Sequence, residues 1–204
     1  VNNHLTRLSD IQHMWKFPSI EDFICMWKKS GAVEFTGEPN DFICDCLEYE
    51  WIALIQSLGP TTVDQIRCHS PAFPGLPPNP KMVSVPLDRI VCTHSCFQDQ
   101  CNCIERPHNK TYHVQCHQQT DLPGTMPEPH WNYSYKYAIQ FHENNLESLS
   151  PKDYLVNVSI LDVSDNNIKE VDIHALKMLI DAAEIRLDGN KLSTLPREIA
   201  DITG

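Results

Sequence analysis

The chain has 204 residues and carries 27 acidic against 16 basic side chains, a formal charge of -11 at neutral pH. That balance argues against a nucleic-acid backbone or an anionic lipid surface as the main partner. The length suits one or two compact domains or a run of repeats. No apolar run approaches the about 18 residues of a membrane-spanning helix. The N-terminus lacks the basic, apolar and small-residue succession of a signal peptide, so any targeting segment is expected outside the chain.

Residues 1–5, Val-Asn-Asn-His-Leu, begin abruptly inside a repeat unit of the kind seen again downstream, with Asn3 in its asparagine position. From Pro18 the sequence predicts a helix: Ser19 as N-cap, Glu21 and Asp22 in the first turn, and Lys28, Lys29 and Gly31 at the far end. Ile20, Phe23, Ile24 and Trp27 follow helical spacing and define its buried face, which points Cys25 away from the core. Cys25 is the odd cysteine of nine; it reads as an unpaired thiol, or as bonded to a cysteine upstream of Val1 or on another molecule. Residues 33–39 read as a short strand and turn.

The other eight cysteines form two consecutive clusters within 42–119. Cys44, Cys46, Cys68 and Cys92 make the first, and Cys96, Cys101, Cys103 and Cys116 the second. Each contains a Cys-x-Cys pair with widely spaced partners, as in two disulfide-tied caps set back to back. After Cys46 a second helix is predicted with Leu47, Trp51, Leu54, Ile55 and Leu58 on one stripe and Glu48 and Glu50 off it, ending at Gly59-Pro60. Six prolines between Cys68 and Cys92 predict an irregular extended loop; a polyproline ligand is the weaker alternative there.

Zinc would in principle suit nine cysteines and ten histidines. Structural zinc, however, wants Cys-x2-4-Cys at matching spacing, which neither the Cys-x-Cys pairs nor the irregular histidines supply. Three Asn-x-Ser/Thr triplets, at Asn109, Asn132 and Asn157, have no central proline. Beside paired cysteines they favour an oxidising, extracellular setting and N-linked glycans.

Repetition follows the second cluster. The segments 139–146, 161–168 and 185–192 all fit L-x-L-x-x-N-x-L, with Asn144, Asn166 and Asn190 spaced 22 and 24 positions apart. This lies inside the roughly 20 to 29 residue period of leucine-rich repeats. In each strand alternate side chains face opposite ways, so Ile139 and Phe141 point inward while Gln140 and His142 point out. The asparagine carries both a donor and an acceptor and serves backbone groups where the coil bends away from the strand. No single repeat buries its own leucines, so the strands are expected to stack into a parallel sheet lining one face of a solenoid whose ends need caps. The outward positions Gln140, His142, Asp162, Ser164, Arg186 and Asp188 are geometric candidates for contact on the concave face. His113, His117 and His142 are candidate pH sensors, though surface histidines without such a role are commoner.

The segment from Pro39 through Phe42, Cys44 and Cys46, with Trp51 following, resembles the C-terminal flanking cap of extracellular leucine-rich-repeat proteins. Cys96 through Cys101 and Cys103, leading to Cys116, resembles the N-terminal flanking cap. A C-terminal cap running directly into an N-terminal cap and a second repeat block is similar to the ectodomain of insect-type Toll receptors, over essentially the whole chain. Glu38 departs from the expected Asn before Pro39, and Gln119 stands where a ladder asparagine is expected.

The resemblance implies an α/β leucine-rich-repeat solenoid with a parallel concave sheet, interrupted by back-to-back disulfide-bonded caps. Its parts would be the last repeats of a first block (1–38), a C-terminal cap (39–94), an N-terminal cap (95–130) and an incomplete second block (131–204). It implies the pairs Cys44–Cys68, Cys46–Cys92, Cys96–Cys103 and Cys101–Cys116, each contributing about 2 to 4 kcal/mol. It further implies a receptor for Spätzle, a dimeric cystine-knot cytokine, anchored by a transmembrane helix outside this chain. This part would lie near the membrane, where receptors pair as homodimers. Slit-type secreted guidance proteins also join repeat blocks in this way and are the rival class. Neither the first nor the last repeat is complete, which reads as an excised fragment.

No Gly-x-Ser-x-Gly, His-Glu-x-x-His or phosphate-binding glycine loop is present, and no nucleophile-base-orienter set assembles from neighbouring motif positions. The expectation is a binding protein with no enzymatic activity, no cofactor and no catalytic or metal residues.

Overall fold

The computed structural model describes residues 6–10, 16, 19, 22, 25–26, 42–57, 66–130 and 134–194. The chain divides into two compact units, Val1–Val91 and Cys92–Gly204. Asn3, Glu38, Asn132, the strand expected at 33–39 and the helix end at 58–60 lie outside the described residues. Of the helix expected from Pro18, Asp22, Cys25 and Met26 are described as helical, and the Ser19 hydroxyl accepts the Asp22 N–H at 3.1 Å, as an N-cap does. Cys25 is a free, exposed thiol.

Among the described residues of the first unit, side chains supply much of the long-range backbone pairing. Strand β1 (Phe42–Ile43) pairs in parallel with β2 (Cys68–Ser70), and the Cys44–Cys68 disulfide, with S–S 2.04 Å, closes the 24-residue separation between them. The Asp45 carboxylate accepts the Leu47 N–H at 3.0 Å and starts a 3-10 turn (Cys46–Glu48) that runs into helix α1 (Tyr49–Ser57). Trp51, Ile52 and Ile55 are buried. The Gln56 amide donates to the carbonyls of Met82 and Val85 at 3.0 and 2.7 Å, fixing the proline-rich loop against the helix. That loop is irregular as expected, with 3-10 turns at Met82–Ser84 and Leu87–Arg89.

One stripe position differs from expectation. Leu47 is 39% exposed, whereas Glu48 is 1% exposed. The 3-10 turn has about three residues per turn instead of 3.6 and so rotates these two positions out of the helical phase. Glu48 tolerates burial because its carboxylate accepts from the Ser9 N–H (2.9 Å), the Ser9 hydroxyl (2.6 Å) and the Arg7 guanidinium (3.4 Å). Arg7 also grips both oxygens of Asp45, at 3.1 and 2.8 Å, and its pKa is raised chiefly by that hydrogen bonding. Residues 6–10 are thereby tied to the start of α1.

The second unit is built on one six-stranded sheet. In chain order its strands are β3 (Cys92–Cys96), β4 (Cys101–Arg106), β5 (Thr111–Cys116), β6 (Lys136–Gln140), β8 (Val158–Asp162) and β10 (Glu184–Arg186), and they lie side by side in that order. The β3–β4 and β4–β5 pairs are antiparallel, while β5–β6, β6–β8 and β8–β10 are parallel. Strand β5 is therefore the seam at which a disulfide-bonded hairpin is joined to a parallel array. Cys96 and Cys103 bond within the hairpin (S–S 2.06 Å), and Cys101 and Cys116 bond across paired strands (S–S 1.92 Å). Cys46 in the first unit and Cys92 in the second are each in a disulfide.

One face of this sheet is the core. Cys101, Cys103, Tyr112, Val114, Cys116, Ile139, Phe141, Leu161 and Val163 are buried from alternate strand positions. They pack against Leu146, Leu149, Leu155, Ile168 and Leu176 from the returning chain. That return includes a small parallel pair, β7 (Ser148–Leu149) with β9 (Glu170–Val171), a 3-10 turn (Asp153–Asn157) and helix α2 (Ile173–Met178), N-capped by Asp172 onto the His174 N–H at 2.7 Å.

Asparagines lock each turn to the one before it. The Asn166 side-chain amide, buried at 5% exposure, donates toward the carbonyls of Phe141 (2.7 Å), Val163 (3.1 Å) and Ser164 (2.9 Å), while its oxygen accepts the Leu146 N–H (3.0 Å). Asn190 repeats the pattern with Val163, Leu187, Asp188 and the Ile168 N–H. Asn144 does so with Cys116, His142 and the Gln119 N–H. The residue before each ladder position has positive φ: Gln118 (59°), Glu143 (55°), Asp165 (53°) and Gly189 (69°). Glycine is required at the last of these, because a Cβ there would run into the Asp165 side chain.

Gln119 ends the series. Its amide keeps the short bond to the carbonyl two residues back, His117, at 3.0 Å, but then meets Gln100 Oε1 at 3.1 Å in the hairpin turn. The longer side chain reaches the β3–β4 connection, where an asparagine would reach a preceding coil.

Candidate interaction surface

The open face of the sheet is set by register. One row runs Asn102, Gln115, Gln140, Asp162, Arg186 across neighbouring strands, and the next runs Ile104, His113, Ala138, Ile160, Glu184. The first is polar from end to end, and the second is apolar except at His113 and the terminal Glu184. Sequence reasoning found members of the polar row but missed Ile104, His113, Ala138 and Ile160 as a continuous stripe. Template matching stopped at β6, whereas the stripe begins in the hairpin, whose pairing no template gives.

Only part of the expected contact set is open. Gln140 and His142 are half-buried, and Asp188 and Arg186 are exposed. Ser164 is not open: it is 7% exposed and donates both its N–H (3.1 Å) and its hydroxyl (2.6 Å) to Asp162 Oδ1. This closed side-chain turn takes Ser164 off the surface. Asp162 and Arg186 are likewise engaged with each other, at 3.6 Å, and Arg186 Nε donates to Glu184 at 2.5 Å, which raises the guanidinium pKa. The β8–β10 end is thus an internally paired charge cluster.

His113 lies in the middle of the apolar stripe. Burial, and secondarily the Arg106 charge, lower its pKa below the ordinary imidazole value. Neutral His113 is therefore favoured on this face, and acidification works against the folded environment.

Behind the stripe the core contains a buried charge. Glu105 is fully buried; it accepts from the Tyr135 hydroxyl (2.6 Å), the His130 N–H (3.0 Å) and His130 Nδ1 (2.9 Å). Tyr112 stands beside it, with its hydroxyl 3.0 Å from His94 Nε2, and its pKa is pushed up to about 12 by burial and then by the Glu105 charge. Edge-to-face rings continue from Tyr112 to Tyr135 and Tyr137, and from Tyr137 to Tyr154. This layer packs the sheet under the stripe with hydrogen-bonded and edge-to-face aromatic side chains. Glu105 was not singled out from sequence, because an alternating strand position flanked by Ile104 and Arg106 carries no local sign of burial.

Of the glycosylation triplets, Asn109 and Asn157 are exposed. The Thr111 hydroxyl donates to Asn109 Oδ1 at 2.7 Å within the first. Among the described residues no helix is long and apolar enough to cross a membrane. The disulfides fit an extracellular domain.

No family model matches the chain. Among solved structures it is similar to a chain of the Drosophila Toll–Spatzle complex, at 20% identity over 75% of this chain and 24% of that one, with a TM-score of 0.52. The glycosylated form of the same complex gives 19% identity, 81% and 23% coverage, and a TM-score of 0.53. The chain spans about a quarter of the length of those solved chains. At such identity the likeness speaks to fold: a mixed α/β, disulfide-bonded arrangement of the Toll-related kind.

Proposed function

We propose that this chain is part of the ectodomain of a Toll-type receptor, a leucine-rich-repeat solenoid interrupted by two caps, which binds a protein ligand and catalyses no reaction. The observation that carries the reading is the order of parts. A cap closed by Cys44–Cys68 precedes a hairpin cap closed by Cys96–Cys103 and Cys101–Cys116, which hands over at β5 to parallel strands with an asparagine ladder. The similar solved chains come from a Toll–Spatzle complex, which supports a dimeric cystine-knot cytokine as the ligand class. In this reading the parent protein is a glycoprotein anchored in the plasma membrane, and this part chiefly spaces and pairs receptors.

Sedimentation of the secreted chain, alone and with a cystine-knot dimer, tests the partner. A concentration-dependent dimer, or a heavier species on adding the cytokine, is expected. Unchanged sedimentation across a wide concentration range places ligand and pairing contacts elsewhere. The coding sequence downstream of Gly204 separates the receptor from a Slit-like secreted protein: a further cap, about 20 apolar residues and a cytoplasmic domain are expected. Further cap-to-cap blocks would favour the secreted class.

A further inference from the structure

Two of the three Asn-x-Ser/Thr triplets, Asn109 and Asn157, have described places beside the sheet, and Asn132 is related to it by sequence alone. Asn109 lies in the turn two residues before β5, Asn132 precedes Lys136, the first residue of β6, by four positions, and Asn157 immediately precedes β8. Strands β5, β6 and β8 are parallel and consecutive in the sheet, so their first residues share one rim. With neighbouring strands about 4.8 Å apart, the starts of β5 and β8 are separated by only about 10 Å. The opposite rim holds the ladder turns with Gln119, Asn144, Asn166 and Asn190, and neither Asn109 nor Asn157 falls there.

We propose that this strand-entry rim is covered by contiguous N-linked oligosaccharides, which confine protein contacts with the second unit to its open face and its ladder rim. The inference rests on the extracellular reading above. In the modification the asparagine side-chain nitrogen displaces the pyrophosphate of a polyprenol-linked oligosaccharide. A bond forms between Nδ2 and the sugar anomeric carbon, one amide proton is lost, and the lipid pyrophosphate leaves. Bulky, hydrated groups at Asn109 and Asn157, rooted within two strand spacings, exclude a protein surface from that edge, and the Asn132 triplet adds a third acceptor by its place in the sequence.

Lys136, at the entry rim, and Lys169 and Lys191, which follow the ladder turns, are all exposed and serve as reporters. The chain is secreted from eukaryotic cells and labelled with a bulky polyethylene-glycol succinimidyl ester, before and after enzymatic glycan removal, and each lysine is followed by peptide mass spectrometry. Expected are glycans at the triplets and a Lys136 labelling rate at least about threefold slower before removal, with Lys169 and Lys191 unchanged. A triple Asn109→Gln, Asn132→Gln, Asn157→Gln variant should match the enzymatically stripped protein; if it fails to secrete, the enzymatic arm decides. Occupied triplets with equal Lys136 rates overturn the rim coverage and leave the extracellular reading standing. Unoccupied triplets in disulfide-bonded secreted protein overturn it too.

Discussion

The two units solve the same problem, pairing backbone groups away from water, in opposite ways. In the first, individual long-range side chains do it: Gln56 for the carbonyls of Met82 and Val85, Glu48 for the Ser9 N–H, a disulfide for β1 and β2. In the second, one residue type in a repeated position does it, coil after coil. The first arrangement is specific to its place, and the second extends to any number of turns. A unit of the first kind closes a structure, whereas one of the second kind propagates it.

That contrast is open to direct attack. The largest effect is expected from Cys44→Ala with Cys68→Ala, which removes the cross-link between β1 and β2. A loss of about 3 kcal/mol follows from the length of the closed loop. Amide hydrogen exchange should show it across 42–57 and 66–70; retained protection there would mean that the side-chain bonds alone hold the first unit.

Asn166→Ala comes next. It strands a buried N–H and several carbonyls, for about 2 to 3 kcal/mol in denaturant unfolding, with the Leu146 amide exchanging faster. Gln119→Ala, whose bonds are exposed, should change stability by no more than about 0.5 kcal/mol. Equal losses at 119 and 166 would erase the distinction between a ladder member and its terminus. Gly189→Ala follows at about 1 to 2 kcal/mol, from the positive φ and the collision with Asp165.

The smallest effect concerns pH. Because the folded pKa of His113 is depressed, the unfolded chain binds the extra proton first. Stability contributed by neutral His113 is fully present above the ordinary imidazole value of about 6.5 and falls on acidification below it. A His113→Gln variant should have a flatter stability profile through that window, and an unchanged slope would assign the acid sensitivity to other groups.

What the sequence disclosed follows from range. Asn144, Asn166 and Asn190 were legible because their role repeats at a fixed spacing, and the face of Gln140 and His142 followed from strand alternation. Glu48 and Glu105 were not legible. Their partners Ser9 and His130 lie 39 and 25 positions away, and burial of a carboxylate leaves no trace in its neighbours. Ser164 was misplaced for a shorter-range reason: alternation puts it on the open side, but its own hydroxyl folds back onto Asp162.

The ladder also has a direction. Asn144, Asn166 and Asn190 each bond backward, to the coil already traversed. Every turn is thus left with unsatisfied carbonyls until its successor has been laid down. The amide that completes a coil's carbonyls therefore lies about one period later in the sequence. The hairpin of β3 and β4 escapes this waiting, since its antiparallel bonds and its Cys96–Cys103 link lie within a few residues of one another. Its pairing is complete within its own residues, and β5 joins it to the parallel strands.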